Sequence, residues 1–290
     1  MLTMSFKLSS QASRRPSRLI VACLLVSAGP AAGQLSLAEV RERARDLQSQ
    51  MLHASCSQQG PECFRPQVAG LRSVLRDYTV RKLNQSGGDT QGLIADLRTV
   101  DDCFALEVLG RKPGTDGRNP FTFRKKLAAG ELLLTVNHFA SGALAIPPGV
   151  VIVQGFRRQG DEYVFGAETG DSIYGIMNED MIQALPSPVE GEIWLLISGQ
   201  VAGFMGHLER TRIYSFNGYE FQERWRPEDR QNPEITITDD EIRTVYLGPK
   251  IYRFRGDLQE CFEETVKLLS TGAAQVKLVN RGECGDPHKR

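Results

Sequence analysis

Arg212-Ile-Tyr-Ser-Phe216, Asn217-Gly218, Tyr219-Glu-Phe-Gln222 places alternating aromatic and polar residues on both sides of an Asn-Gly pair. Asn and Gly tolerate the positive φ that a tight type I′ turn requires at both central positions, so this stretch predicts a β-hairpin. Glu234-Ile-Thr-Ile-Thr238, Asp239-Asp240, Glu241-Ile-Arg-Thr-Val-Tyr246 predicts a second one. Upstream, Leu132–Val136, Val150–Val153, Tyr163–Phe165 and Ile193-Trp-Leu-Leu-Ile197 are short runs rich in β-branched and aromatic residues, separated by Gly, Pro and Asp. Together they predict an antiparallel β domain over 121–290, folded as a sandwich or an open barrel. Asp257 to Leu269 carries Leu258, Cys261, Phe262, Val266 and Leu269 at helical spacing behind an Asp257/Glu260 capping pair, which predicts a closing C-terminal helix.

Residues 34–110 have a different period. Ser36 and Glu39 form a capping box, in which each side chain satisfies an orphan backbone donor of the first turn. Leu37, Val40, Ala44, Leu47 and Met51 then recur at spacings of three and four. Pro66 is placed to open a second helix, where a missing N–H costs nothing, with Val68, Leu71, Leu75 and Tyr78 on its apolar face. The pair predicts an N-terminal helical hairpin packed on the rest of the chain; the sharper alternative is a coiled-coil surface for assembly. Asn84–Asp89 is a polar break, after which a short helix with Leu93, Ile94 and Leu97 inward is expected. Arg111–Pro120 is the most loop-like run and the expected boundary before the β domain. The fold class expected is therefore α+β.

Residues 1–33 have the three parts of an export signal. Lys7, Arg14, Arg15 and Arg18 precede a short apolar run, Leu19–Val26, and Ala31 and Gly33 supply the small residues before a cleavage point at Gly33/Gln34. The run is shorter than the ~20 residues a membrane-spanning helix needs, so no transmembrane segment is expected in the mature chain. Cleavage removes four of the 35 basic residues and none of the 35 acidic ones, leaving a net charge of −4. Such a balance gives no electrostatic case for nucleic acid. The expected location is secreted or periplasmic.

An oxidising compartment makes disulfides the default for cysteine. Cys56 and Cys63 flank a turn-rich loop, and Cys261 and Cys284 could staple the C-terminal segment, leaving Cys103 over. The chain has no C-x-x-C, H-E-x-x-H, G-x-S-x-G, P-loop or dinucleotide glycine pattern, so no metal and no cofactor are expected. Of the four histidines, His138 and His207 fall where strand ends and loops commonly build sites. They would need a carboxylate such as Glu168 or Asp171 to make hydrolytic chemistry conceivable. Arg210, Arg212, Arg224, Arg226 and Arg230 surround the Asn-Gly hairpin with Glu209, Glu220 and Glu223 interleaved. Cross-strand charge pairing is the cheaper account, and an anion-binding face is the functional one. Trp194 and Trp225 are candidates for lining a carbohydrate or peptide groove, although the apolar run around Trp194 points to core packing. The functional expectation is an exported, non-enzymatic binding or interaction module of the bacterial envelope or exterior, with a protein or a small molecule as its ligand. The alternative is a secreted hydrolase with a loop-assembled site using His138 and His207.

Overall fold

The computed structural model describes residues 36–52, 61–105, 121–128, 130–140, 149–169, 173–174, 176–203, 206–228, 230–238, 240–248 and 260–283. Helix α1 (Leu37–Leu52) is followed by a 3-10 turn (Pro61–Phe64), α2 (Arg65–Gln85) and α3 (Thr90–Ala105). The rest is strand: β1 (Phe121–Leu127), β2 (Gly130–Ala140), β3 (Gly149–Gln159), β4 (Glu162–Glu168), β5 (Ile173–Tyr174), β6 (Ile176–Leu185), β7 (Ile193–Gly203), β8 (Gly206–Phe216), β9 (Phe221–Trp225), β10 (Arg230–Ile237), β11 (Glu241–Leu247), β12 (Glu260–Leu269) and β13 (Gly272–Glu283). The protein is α+β with antiparallel sheets.

The expected helices form where their capping and apolar spacing place them. The Glu39 backbone N–H reaches Ser36 Oγ at 3.3 Å, opening α1. Pro66 occupies the first turn of α2. Val40, Ala44, Leu47 and Met51 of α1, Val68, Leu71 and Leu75 of α2, and Leu93 and Leu97 of α3 are buried in one cluster. The α1 seam is thus covered by this chain's own residues. Gly87 (φ 64°) and Gly88 (φ 90°) make the sharp break between α2 and α3. Asn84 then ties the end of α2 to β4, accepting from Tyr163 N–H at 2.6 Å and donating to Tyr163 O at 3.0 Å.

Two hydrogen-bonded sheets stack on this helical layer. The first runs β1-β2-β3-β4, with β5 beside β3; the second runs β13-β12-β11-β10-β8-β7-β6, with β9 beside β8. Strand alternation assigns each face. Leu133, Phe139, Val150, Ile152 and Phe156 face the helices. Leu132, Leu134, Val136, Val151 and Val153 face the second sheet, meeting Ile193, Leu195, Ile197, Tyr214 and Phe216. The opposite residues of β7, Trp194 and Leu196, face a third cluster with Ile213, Ile242, Val266 and Leu268. Strand β7 is therefore covered on both sides, which is why Ile193–Ile197 is a continuous apolar run and not an alternating one.

The third cluster exists because the second sheet curls. Strands β9 and β10 both lie along β8, at Ile213–Phe216 and Leu208–Glu209 respectively, and β10 to β13 continue over the far face of β7 and β8. A register shift between Gln231 and Glu234 of β10 takes up Pro233, whose missing N–H is tolerated at a bulge.

Two expectations are corrected. No closing helix spans Asp257–Leu269: Glu260–Leu269 is strand β12, paired with β11 and β13. The Asn217-Gly218 hairpin also does not close as a two-residue type I′ turn. Phe216 pairs with Phe221, not with Tyr219, across a four-residue loop. Asn217 Oδ1 accepts from both the Tyr219 and Glu220 N–H groups, at 2.9 and 3.0 Å, and this side-chain turn outcompetes the tighter one. The expected boundary at Arg111–Pro120 lies outside the described residues.

Candidate functional site

The inner face of the curled sheet changes character along its length. At one end it is the apolar cluster of Trp194, Leu196, Ile213, Ile242, Val266 and Leu268. Continuing along the same faces, β7 presents Ser198, β8 Thr211 and Glu209, β11 Thr244 and Tyr246, and β12 Glu264 and Phe262. Ser198, Glu209, Thr211, Thr244 and Glu264 are all buried. A buried polar group costs free energy unless it is paired, so each partner matters.

Arg230 is the centre of this polar end. Its guanidinium pairs with Glu264 and lies 5.5 Å over the Trp225 ring and 4.3 Å over the Tyr246 ring. Tyr246 in turn stacks on Phe262, with centroids 5.8 Å apart. A ladder of indole, guanidinium, phenol and phenyl thus crosses β9 to β12, its three rings half-buried. Gly248 makes room for it, since a Cβ there would run into the Phe262 ring. Burial pushes the Tyr246 hydroxyl above its ordinary pKa.

The polar atoms beneath the ladder are incompletely paired. Ser198 Oγ donates to Glu209 Oε1 at 2.5 Å and lies 3.0 Å from Thr211 Oγ1. Burial pushes the Glu209 carboxyl upward, and the Ser198 hydrogen bond pulls back against it. Arg230 is the backbone partner of Glu209, but its guanidinium turns to Glu264. Arg230 Nη1 and Thr244 Oγ1 are buried without a hydrogen bond, whereas Glu264 Oε2 is the atom that pairs with Arg230 Nη2. Native interiors leave few such atoms, and two at one end of one face mark it as a candidate site.

The residues singled out from sequence divide into those the fold uses structurally and those it separates. His138 is half-buried on β2, opposite Val151; His207 belongs to β8, opposite Ala202 in the other sheet. The His207 side chain, Asp171, His53 and His288 lie outside the described residues. Glu168 Oε2 accepts from the Gln154 side chain at 3.1 Å, and its Oε1 lies 4.0 Å from Arg72 Nη1. Among the described residues no group of three His, Cys, Asp or Glu is placed to hold a metal ion. Cys63 and Cys261 are on the 3-10 turn and β12, whereas Cys56, Cys284 and the Cys103 side chain lie outside the described residues.

The basic run is largely spent on pairing. Arg212 and Arg226 each approach Glu223 at 3.9 Å. Arg224 reaches Glu192 at 3.2 Å, donates to Ser215 Oγ at 2.7 Å and covers the Trp194 ring at 5.2 Å. Trp194 is fully buried and donates to Glu192. Sequence reasoning put Arg230 in this run and missed its role. Its partner Glu264 sits 34 positions later, inside a segment read as helix. The signal available was that Trp225 and Arg230 precede one predicted hairpin and Tyr246 ends it.

Comparison with known protein families, with curated proteins and with solved structures finds no match to this chain.

Proposed function

We propose that this chain is an exported, non-enzymatic binding module of the bacterial envelope or exterior, and that its ligand docks at the polar end of the curled sheet. One observation carries the reading: a half-buried ladder of aromatic rings and the Arg230 guanidinium lies at the end of the sheet where Arg230 Nη1 and Thr244 Oγ1 are buried without a hydrogen bond. Binding sites combine apolar rings with a few oriented polar groups, and this end of the molecule has both. Export rests on the 1–33 leader, with cleavage at Gly33/Gln34. No described helix is long and apolar enough to cross a membrane.

Disulfides Cys56–Cys63 and Cys261–Cys284 belong to the same proposal. Cys261 is opposite Gly282 in the β12–β13 register, two positions before Cys284 in sequence. The hydrolase alternative built on His138 and His207 has less support, because the strands carrying them belong to different sheets.

Expression of the full chain in a bacterial host tests the reading. The exported fraction should begin at Gln34, and non-reducing peptide mapping should recover both cysteine pairs. A protein retained in the cytosol with Met1 intact, or fully reduced after export, refutes it.

A further inference from the structure

We infer that Asn217 is a site of spontaneous covalent modification, at which the Gly218 nitrogen closes on the Asn217 side-chain carbonyl and expels ammonia. The inference is independent of the ligand-binding reading and rests on the loop between β8 and β9. Of the chain's seven asparagines only Asn217 precedes a glycine. Glycine has no Cβ to hinder the approach of its own nitrogen to a neighbouring carbonyl carbon. Elsewhere the fold occupies or encloses the amide: Asn84 uses both side-chain atoms on the Tyr163 backbone, and Asn137 is buried.

The folded loop arranges the electrophile, the leaving group and the nucleophile. Asn217 Oδ1, where negative charge develops as the nitrogen adds, already accepts from the Tyr219 and Glu220 N–H groups at 2.9 and 3.0 Å. Donors fixed at such an oxygen lower the barrier to addition. The leaving nitrogen, Nδ2, lies 3.5 Å from Glu220 Oε1, which settles the orientation of the amide. The loop's backbone bonding runs from Asn217 N–H to Glu220 O and through the two N–H groups on Oδ1; the Gly218 N–H takes no part in it. Asn217 is half-buried and Tyr219 is 67% exposed, so the loop meets water.

The step involves no oxidation or reduction. The Gly218 N–Asn217 Cγ bond forms, the Cγ–Nδ2 bond breaks, and the Gly218 proton leaves with Nδ2 as ammonia. Water then opens the cyclic imide. Breaking the new N–Cγ bond gives aspartate; breaking the bond from the Asn217 carbonyl carbon to the Gly218 nitrogen gives isoaspartate, with the main chain rerouted through Cγ. Either product adds a carboxylate to a loop held against β3 by Arg157, which donates to Gly218 O at 3.4 Å and covers the Tyr219 ring at 4.1 Å.

The experiment incubates the full chain for weeks at neutral and at mildly alkaline pH, both folded and unfolded in guanidinium chloride. The peptide carrying residue 217 is then mapped by mass spectrometry, with chromatography to separate the aspartate and isoaspartate forms. The folded chain should gain the mass of an amide-to-acid exchange at Asn217 before any other asparagine does. The gain should be faster at the higher pH, because the deprotonated nitrogen is the nucleophile. Its rate should equal or exceed that of the unfolded chain, and Asn217→Gln, whose side chain must close a larger ring, should abolish it. Slower conversion in the folded chain than in the unfolded one overturns the inference, because the loop then protects the amide. Earlier conversion at another asparagine overturns it as well.

Discussion

Gly155→Ala tests the sandwich interface most directly. A Cβ at Gly155 of β3 would lie 2.5 Å from both Cε2 and Cζ of Phe216, and 2.8 Å from its Cδ2. The ring cannot swing aside. Phe216 is fully buried on β8 and stacks on Phe221 with centroids 4.8 Å apart. Overpacking of this kind costs about 1–3 kcal/mol. Losing glycine's unfolded-state entropy returns about 0.4–1 kcal/mol, so a net cost of roughly 1–2 kcal/mol is expected. Phe216→Leu alone should cost about 1–2 kcal/mol, since it removes the far edge of the ring without emptying the site. Leucine lacks the two ring atoms that meet the new methyl most closely. The double variant should therefore be more stable than the sum of the single costs by about 1 kcal/mol, a coupling expected only of residues in contact. Urea unfolding of the four proteins measures it. Additivity to within ~0.5 kcal/mol would mean that the ring does not fill the glycine slot, and the packing of the two sheets would need redrawing.

Three further outcomes follow from the buried polar groups. Glu209 has its folded pKa raised by burial, so the native state holds its proton longer; stability should fall as pH rises from about 4.5 through the folded value, and Glu209→Gln should abolish that slope in urea midpoints taken from pH 4 to 8. Glu131 is the opposite case. It accepts from Arg124 at 2.6 and 2.8 Å and from Tyr163 at 2.5 Å, and the Arg124 bonds hold its pKa below the ordinary value. The stabilisation is therefore present above pH ~4.5 and lost as pH falls through the folded value. Glu131→Gln should cost about 1–3 kcal/mol at pH 7, at the lower end because Arg124 is 40% exposed, and the cost should shrink in acid; a pH-independent cost would refute the pairing. Thr244→Val removes a buried hydroxyl that has no hydrogen bond, so thermal unfolding should show no loss, and up to about 1 kcal/mol of gain.

Fold class was legible wherever one residue's burial decided its neighbours' faces. The α1 and α2 seams could be read because apolar residues at helical spacing need only one dry surface to organise them, and the β2, β3 and β7 runs because short continuous runs of apolar residues suit strands buried on both faces. Asp257–Leu269 misled for a definable reason. Glu263, Glu264, Lys267 and Leu268 are good helix formers, and the apolar spacing fits a helix face. On the strand, the inward set is Phe262, Glu264, Val266 and Leu268, and the charge at Glu264 breaks the alternation that would have marked β structure. That charge is tolerated because Arg230 meets it across the curled sheet. A local pattern cannot show a partner 34 residues away, so the strand and the site were missed together.

Glu264 also explains why the candidate site falls at this end of the fold and not elsewhere. Strand β7 has the first sheet on one face and the curled strands on the other, so both its residue sets are held to apolar packing over Ile193–Ile197. Strands β10 to β12 use only their inner face in the third cluster, and that face turns polar beyond Ile242 and Val266. Charged side chains can be placed there without touching either sheet-to-sheet contact of β7. The ladder of Trp225, Arg230, Tyr246 and Phe262 is then the device that shields them, with cation–π contacts supplying attraction where full burial of an ion pair alone would leave a large desolvation cost. A substitution that opens the ladder, such as Tyr246→Ala, should consequently admit water to Arg230 and Glu264 while the sandwich of the first sheet with β6–β8 stays folded. Hydrogen exchange would show faster exchange confined to β10–β12. Loss of protection across β2, β3 and β7 as well would show that the two halves of the second sheet are not separable in this way.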